Sequence, residues 1–389
     1  MSKLEELIEK LCPNGVEYKT LDKVCSVTTG NQLNKDKLLD EAEYPVINGG
    51  INPSGYWHEY NTDKNTITIS QGGASAGYVN YMETPFWAGA HCYVVKLEEK
   101  KVNYRYLYHY IKSIEKKLQK CQQGAGIPSV SRKTIYENCI PVPPLEVQCE
   151  IVHILDDFTL LSAELSAELK ARQEQFSYYR EKLYKSNENI KRLDEVVDIR
   201  LGLTHTPKYV ENGIKFISAQ NTSNDYLNLE NVKYISQKEY DSITDNAKPK
   251  RGDILFTRVG SNLGHPVIVE TDEKLCMFVS LGYLRIKNTN SVLNTYIKHW
   301  INTENFWSQV RKNVHGSAKV NLNTGWLSKF EISIPSIEEQ QNIVNILDKL
   351  EKLCNDISEG LPAEIEARQK QYEYYRDKLL TFKELKVNE

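Results

Sequence analysis

The chain has 389 residues and nearly balanced charge, with 49 basic and 52 acidic side chains and a formal net charge of −3. Its length predicts about two to three domains, and 40% hydrophobic and 26% charged residues are typical of a globular protein, which excludes collagen-like and disordered classes. No apolar run is long enough to cross a membrane, and the acidic start at Glu5 and Glu6 is unlike a signal peptide, so we expect a cytoplasmic protein.

The first variable region predicts a mixed α/β domain. β-branched and aromatic residues indicate strands at 66–70 and 92–97. A helix is predicted after them, over 104–120.

Two polar loops of this region contain glycine, one at 71–77 and one at 122–133. Glycine lets the backbone approach a phosphate, and amide and basic side chains can pair with base edges. A turn that requires positive φ would explain the glycines about as well. The candidate DNA-contacting residues are Gln71, Gly73, Ser75, Gln123, Gly124, Ser131, Arg132 and Lys133.

A long helix is predicted next, over 145–184. Apolar residues recur at alternating steps of four and three from Ile151 to Leu183, as in a coiled-coil seam. Arg172 is a charged exception on this seam, and a buried arginine needs a partner, for which Glu or Tyr across the coil is the expectation.

The second variable region repeats the plan of the first. Strands are predicted at 253–257 and 282–286 and a helix over 293–312. Polar loops follow at equivalent places, and their candidate DNA-contacting residues are Arg258, Ser261, Asn262, His315, Lys319, Asn321 and Asn323. Basic residues near the loops of both regions could hold phosphates or could simply form solvated surfaces; they are Lys112, Lys116, Lys117, Lys120, Lys248, Lys250, Arg251, Arg311 and Lys312.

A second long helix is predicted over 337–382, with Arg368 at the place of Arg172. We call the helices at 145–184 and 337–382 the conserved helices, because they carry the segments that the chain repeats. It carries four extra residues relative to the first copy. These form a stutter in the heptad pattern, or the helix breaks or kinks near Gly360 and Pro362.

The chain is therefore an internal repeat. Residues 168–183 and 364–379 are identical at ten of sixteen positions, and residues 143–156 and 335–348 at eight of fourteen. The sequences between these blocks diverge, which suggests one scaffold carrying two specificities, although duplication with drift is the simpler alternative. The two long helices can pair antiparallel, or each can pack on its own domain.

Catalytic motifs are missing. The sequence contains no P-loop, no G-x-S-x-G elbow, no H-E-x-x-H motif and no methyltransferase Asn/Asp-Pro-Pro-aromatic motif. The eight cysteines form no C-x-x-C pair and no histidine pair has metal-ligand spacing, so we expect neither disulfides nor a metal site. No catalytic residue is predicted.

The arrangement resembles the specificity (S) subunits of type I restriction–modification systems. The residues that carry the resemblance are the Ala-Arg-Gln-x-Gln-aromatic-x-Tyr-Tyr-Arg-x-Lys-Leu segments at 171–183 and 367–379, the Pro-x-[Leu/Ile]-Glu-x-Gln openings at Pro143 and Pro335, and the Leu-Asp-x-Val starts of the two variable regions. The resemblance spans about residues 15–380.

This resemblance implies an α+β protein with two mixed α/β target recognition domains joined by two long antiparallel coiled-coil helices, in a pseudo-two-fold internal repeat. The implied boundaries are 1–144 and 185–336 for the recognition domains, and 145–184 and 337–382 for the helices. Each domain would recognise one half of a bipartite, asymmetric site on double-stranded DNA, and the helices would set the gap.

The resemblance also implies partners. The helices would dock two methyltransferase (M) subunits, and restriction (R) subunits would join through the complex. The chain itself would be non-catalytic and hold no cofactor, because S-adenosylmethionine belongs on the methyltransferase. The expected coiled-coil and docking residues are Leu165, Leu169, Arg172, Gln173, Phe176, Tyr179, Arg180, Ile365, Arg368, Gln369, Tyr372, Tyr375 and Arg376, with Tyr178 also on the outer face.

Three alternatives remain beside this hypothesis. The paired helices of an interaction protein could bind only protein, which predicts no salt-dependent DNA affinity. A fusion of methyltransferase and specificity parts is disfavoured, because the two repeats use up the chain. A specificity module of a methylation-only system or an orphan regulator is indistinguishable by sequence, because the restriction subunit is another chain.

Overall fold

The computed structural model describes residues 3–121, 128–185, 188–260, 262–313, 320–356 and 359–385. Its helices are α1 Lys3–Leu11, α2 Tyr104–Ser113, α3 Glu115–Lys120, α4 Arg132–Tyr136, α5 Leu145–Leu183, α6 Leu193–Val196, α7 Gln237–Ser242, α8 Asn294–Ile301, α9 Glu304–Asn313, α10 Thr324–Leu327, α11 Ile337–Asn355 and α12 Leu361–Leu379. Its strands are β1 Glu17–Thr20, β2 Cys25–Thr29, β3 Tyr44–Ile47, β4 Tyr56–Trp57, β5 Thr66–Ser70, β6 Val79–Met82, β7 Trp87–Ala88, β8 Cys92–Leu97, β9 Cys139–Val142, β10 Ile190–Arg192, β11 Val197–Leu201, β12 Tyr209–Val210, β13 Ile214–Ile217, β14 Lys233–Ile235, β15 Ile254–Thr257, β16 Pro266–Ile268, β17 Leu275–Met277, β18 Leu281–Ile286 and β19 Glu331–Ser333. Within the described ranges, no helix combines the length and apolarity that a membrane span requires.

The chain divides into two compact units. The first contains Met1–Ser166 and Glu364–Glu389, and the second contains Ala167–Ala363. Each unit holds one variable region together with parts of the conserved helices, because α5 contributes its first half to one unit and its second half to the other.

The first unit is built on an antiparallel sheet in the order β2-β8-β5-β6. Ile67 and Ile69 of β5 are fully buried and belong to the same core as Tyr106 and Leu107 of α2, so the helix packs on this sheet. A smaller sheet has the order β4-β3-β7, in which β3 and β7 are parallel. β1 pairs with β9 beside them.

The second unit repeats this topology with one additional strand, β12. Its larger sheet has the order β11-β18-β15-β16, and its smaller sheet, β12-β14-β13-β17, contains the parallel pair β13 and β17. β10 pairs with β19, as β1 does with β9. The internal repeat therefore extends through the variable regions as fold, although their sequences diverge.

The predicted elements are present with two differences. All four predicted strands form, with the later two beginning at Ile254 and Leu281. The helix predicted after the strands of each variable region is split into two, at Ile114 in the first unit and at Asn302 and Thr303 in the second. Thr303 starts the new helix because its hydroxyl accepts from the amide of Phe306 over 3.3 Å, as an N-cap does.

The first conserved helix, α5, is continuous over 39 residues. Ile151 and Leu155 on the predicted seam are buried, and the later seam positions through Leu183 are half-buried. Between residues 160 and 171, every position off the seam is exposed. The heptad seam predicted from the sequence is therefore confirmed.

The second conserved helix is interrupted, which decides between the stutter and the break. α11 ends at Asn355 and α12 begins at Leu361, with Gly360 between them. A Cβ atom on Gly360 would lie 2.6 Å from the carbonyl oxygen of Asp356 and 2.8 Å from that of Lys352. Only glycine fits this approach of the chain to the end of α11.

Within the first unit, the two conserved helix segments run in opposite directions, because Ile151 near the start of α5 shares a core with Leu380, directly after α12, and Phe158 farther along α5 stacks on Tyr375 of α12. In the second unit, Ile343 near the start of α11 shares a core with Tyr184, directly after α5.

Candidate nucleic-acid interface

In the first unit, the two predicted DNA-facing loops lie side by side. The amide of Val130 donates to the carbonyl of Gln71 over 2.9 Å, and the amide of Gly73 donates to the carbonyl of Pro128 over 2.9 Å. Gln71 also donates its amide to the carbonyl of His91 over 2.9 Å. Three chain segments are thus joined through Gln71.

The second unit builds the same junction from a different sequence. The amide of Arg258 donates to the carbonyl of Ser280 over 2.9 Å, and the amide of Leu322 donates to the carbonyl of Arg258 over 3.1 Å. We call these residues the loop junction; its equivalent pairs are Gln71 and Arg258, His91 and Ser280, and Val130 and Leu322. The sequence left open which loop pair contacts DNA, and the structure joins both into one surface in each unit.

The glycines of the first loop in each unit have two roles. Gly73 and Gly260 have φ of +86° and +117° and no heavy atom within 4 Å of a built Cβ, so they satisfy the turn and leave open space. Gly77 and Gly264, also at positive φ, lie against helix α3 and Trp307 respectively. The need for positive φ accounts for all four glycines, and the open space at Gly73 and Gly260 leaves room for a ligand.

Two predicted side chains of the first unit are exposed at this surface. Arg132 and Lys133 are exposed, whereas Ser75 is half-buried, and the Arg132 guanidinium lies 5.6 Å from the centre of the Tyr93 ring. Ser131 has a structural role as well, because its hydroxyl accepts from the amide of Thr134 over 3.1 Å and caps α4.

The second unit exposes amides at the equivalent surface. Asn321 and Asn323 are exposed, and Asn323 also caps α10 by accepting from the amide of Gly325 over 2.7 Å. Asn262 is half-buried, and its amide group donates to the carbonyl of Thr222 over 3.4 Å. The remaining predicted contacts, Gln123, Gly124, Ser261, His315 and Lys319, lie outside the described residues.

Arg258 corrects an expectation of the sequence. It is 8% exposed, and its guanidinium donates to the carbonyls of Leu322 over 3.1 Å and Val279 over 2.9 Å. Burial lowers the pKa of this guanidinium from its ordinary value. The expectation that Arg258 contacts a base is therefore wrong for this geometry; the side chain ties the segments of the loop junction together.

Most of the basic clusters are paired within the protein. Lys112 contacts Glu115, Lys116 contacts Glu373, and Lys117 contacts Asn138; in the second unit Lys248 contacts Asp245, Arg251 contacts Asp272, and Arg311 contacts Glu304. These contacts favour the solvated-surface interpretation over dedicated phosphate sites.

The two seam arginines also differ from expectation. Arg172 contacts Glu168 over 2.7 Å and Gln175 over 2.8 Å, both on its own helix. Arg368 makes the same two contacts with Glu364 and Gln371. The expected pairing with Glu or Tyr across the coil is therefore wrong: each half-exposed arginine pairs along one helix, where residues three and four apart are neighbours.

The remaining helix positions divide into a seam and an outer face. Buried or half-buried seam positions are Leu165, Leu169, Phe176, Tyr179, Ile365, Tyr372 and Tyr375, whereas Gln173 and Gln369 are exposed. Tyr178 and its copy Tyr374 are 61% and 62% exposed. Arg180 is half-buried over the Phe176 ring and Arg376 is buried over the Tyr372 ring, so neither lies on the outer face that the sequence predicted.

A repeated His–Asp pair attaches each variable region to a conserved helix. In the first unit, fully buried His109 contacts Asp156 of α5 over 2.8 Å, and Arg105 contacts the same carboxylate over 2.8 Å. Burial is the main cause that lowers the pKa of His109. Burial raises the pKa of Asp156, but hydrogen bonds from His109 and Arg105 outweigh it and the net shift is downward.

The second unit has the equivalent pair of His299 and Asp348, 2.7 Å apart. Glu351 lies close enough for the three side chains to present ligand atoms within 4.8 Å of one another. Lys298 contacts Glu351 over 2.8 Å. The pair of His299 and Asp348 forms an anchor like that of the first unit, but the Nδ1 atom of His299 is buried without a hydrogen-bond partner among the described residues.

Sequence reasoning missed the third segment of the loop junction. His91 directly precedes β8, and its amide donates to the side-chain oxygen of Asn48 over 3.1 Å. The Asn-Gly-Gly turn after β3 and the predicted strand at 92–97 were visible signals, but neither places His91 beside Gln71.

Comparisons with known proteins agree with this geometry. The family model "Type I restriction modification DNA specificity domain" matches residues 13–174 and 185–367. A putative type I restriction enzyme specificity subunit of Haemophilus influenzae is 33% identical over 399 residues, covering 97% of this chain and 98% of the relative. A type I restriction enzyme specificity subunit of Escherichia coli is 34% identical over 306 residues, covering 74% of this chain and 73% of the relative.

The fold is also similar to solved structures. The crystal structure of a type I restriction–modification S subunit from M. genitalium matches with a TM-score of 0.60 and 17% identity, covering 94% of this chain and 96% of that one. The family match covers both repeats, and the chain therefore belongs to the type I restriction–modification DNA specificity family, with two copies of the specificity domain.

Proposed function

We propose that this chain is the non-catalytic DNA-recognition subunit of a type I restriction–modification complex, in which each unit recognises one half of a bipartite, asymmetric target. The observation that carries the proposal is the loop junction, built twice with the same backbone bonds and different side chains. A shared backbone frame positions side chains reproducibly, and the side chains decide which base edges they match.

The proposal assigns the gap between the half-sites to the conserved helices. α5 is a continuous helix of 39 residues, and its length is about 58 Å at roughly 1.5 Å per residue. A helix of fixed length would set a fixed number of unread base pairs. The interruption at Gly360 lies in the second conserved helix, and α5 has no such break.

The proposed partners are two methyltransferase subunits, one for each copy of the conserved segment, with restriction subunits joining through the complex. Support comes from the equivalent exposure of Tyr178 and Tyr374, because exposed tyrosines are common interface anchors. S-adenosylmethionine would be bound by the methyltransferase, which supplies the methyl transfer. The relatives support this assignment by their printed names as type I specificity subunits.

The test is a map of methylated adenines in cells with and without this gene. We expect the loss of methylation at one asymmetric motif with an unread gap. Loss of a contiguous motif would contradict recognition by two units.

A second measurement separates DNA recognition from a protein-only role. The purified complex with methyltransferase should bind its target with an affinity that falls steeply as salt increases. An unchanged methylation map together with no salt-dependent DNA binding would favour a protein-only interaction role instead.

A further inference from the structure

The backbone of His91 is held by two other segments of the first unit, the Asn48-Gly49 turn and Gln71. Its amide donates to the Asn48 side chain over 3.1 Å, and its carbonyl accepts from the amide of Gln71 over 2.9 Å. Gly49 lies so close that a built Cβ would be 3.2 Å from the Cβ of His91. Position 91 is therefore fixed without any contribution from the imidazole.

The imidazole itself faces solvent. His91 is exposed, and in the described part of the chain no hydrogen bond or ion pair involves its ring nitrogens. By contrast, the other histidine of the first unit that packs between elements, His109, has both ring nitrogens in contact, with Asp156 and with Tyr372. An exposed side chain on a rigidly held backbone is suited to contact a ligand, because little ordering is required on binding.

The equivalent position in the second unit is Ser280. It makes the same backbone bond, accepting from the amide of Arg258, but its hydroxyl accepts from the amide of Ala219 over 3.1 Å. The two units thus share the frame at this position while only the first presents a free polar side chain there. This is the arrangement expected where two units of one fold recognise different sequences.

The surroundings of His91 suit a DNA base edge. Gly73 leaves open space beside the junction, and the exposed Arg132 lies over the ring of Tyr93, which follows His91 by two residues. An imidazole N–H can donate to N7 of a purine, an acceptor that both adenine and guanine present in the major groove.

We propose, resting on the proposed function, that His91 is a specificity-determining residue that contacts a purine edge in the half-site recognised by the first unit. The other half-site does not depend on it. The equivalent Ser280 uses its hydroxyl to accept from the amide of Ala219 and has no such role.

The experiment compares adenine-methylation maps and DNA binding for the assembled complex with wild-type chain, His91→Ala, His91→Gln and His153→Ala. His153 is the matched control, a histidine whose side chain is 72% exposed on α5. The methylation map of the wild-type complex tests the proposed function independently of His91, because that function requires methylation at a gapped motif. The variants then test His91.

We expect His91→Ala to weaken binding to the wild-type target roughly 5- to 150-fold, the usual range for one specific base contact. Methylation should become permissive at one position of one half-site and stay unchanged in the other half-site. His91→Gln should change the preferred base there, and His153→Ala should match the wild type.

Unchanged maps for both His91 variants would overturn the inference. So would failure of both variants to assemble or a large loss of thermal stability, since His91 would then be a structural residue. A uniform loss over both half-sites in a stable complex would overturn it as well, because it would indicate a contact to the DNA backbone.

Discussion

Replacing Asp156 with alanine should destabilise the first unit far more than replacing its neighbour Asp157. Both aspartates lie on α5 and both contact a histidine. Asp156 contacts buried His109 over 2.8 Å, whereas Asp157 contacts His153 over 3.1 Å with both side chains about 70% exposed. The pair of variants therefore isolates burial from the mere presence of a His–Asp contact.

The magnitude follows from the groups left behind. Asp156→Ala leaves the fully buried His109 ring nitrogen without a partner, which costs about 1–3 kcal/mol. Loss of the partly exposed Arg105 contact adds about 0–1 kcal/mol. For a unit of roughly 190 residues, a total of about 1–4 kcal/mol corresponds to a fall in Tm of roughly 2–16 °C.

Differential scanning calorimetry of the purified complex measures this. Asp157→Ala should lower the free energy of unfolding by no more than about 0.5 kcal/mol, as exposed pairs on one helix do. Asp348→Ala, which removes the equivalent contact with His299 in the second unit, should behave like Asp156→Ala. Equal and small Tm shifts for Asp156→Ala and Asp157→Ala would refute the reasoning that burial decides the energy.

Three further predictions follow from the same structure. Burial lowers the pKa of His109 below its ordinary 6.5. Below that pH the unfolded chain binds a proton that the folded chain does not bind, so the free energy of unfolding should fall as pH drops through about 6.5. Urea titrations of His109→Gln should show a smaller pH dependence of that free energy. Arg258→Ala should cost about 2–4 kcal/mol because two buried carbonyls lose a charged donor; a wild-type Tm with a changed base preference would restore the base-contact hypothesis. Gly360→Ala should cost about 1–3 kcal/mol, because its Cβ would clash with the carbonyl of Asp356, and an unchanged melting curve by circular dichroism would show that the chain relaxes there.

The sequence alone was sufficient where the signal is local and periodic. The heptad pattern from Ile151 to Leu183 predicted a continuous helix and its seam, since a seam needs only regular spacing along one helix. The duplicated segments predicted two equivalent units and, with the resemblance, the family. The strand at 66–70 and the polar loop after it were likewise visible in short windows of sequence.

Only the tertiary structure decided which polar residues face a ligand. Arg258 and His91 each occupy a polar loop, yet Arg258 is buried on the carbonyls of residues 21 and 64 positions away, and His91 is exposed. The break at Gly360 was open in the sequence, because both a stutter and a kink fit four extra residues. These outcomes depend on hydrogen bonds and close approaches between distant segments, and no local pattern of residue types records which segments will meet.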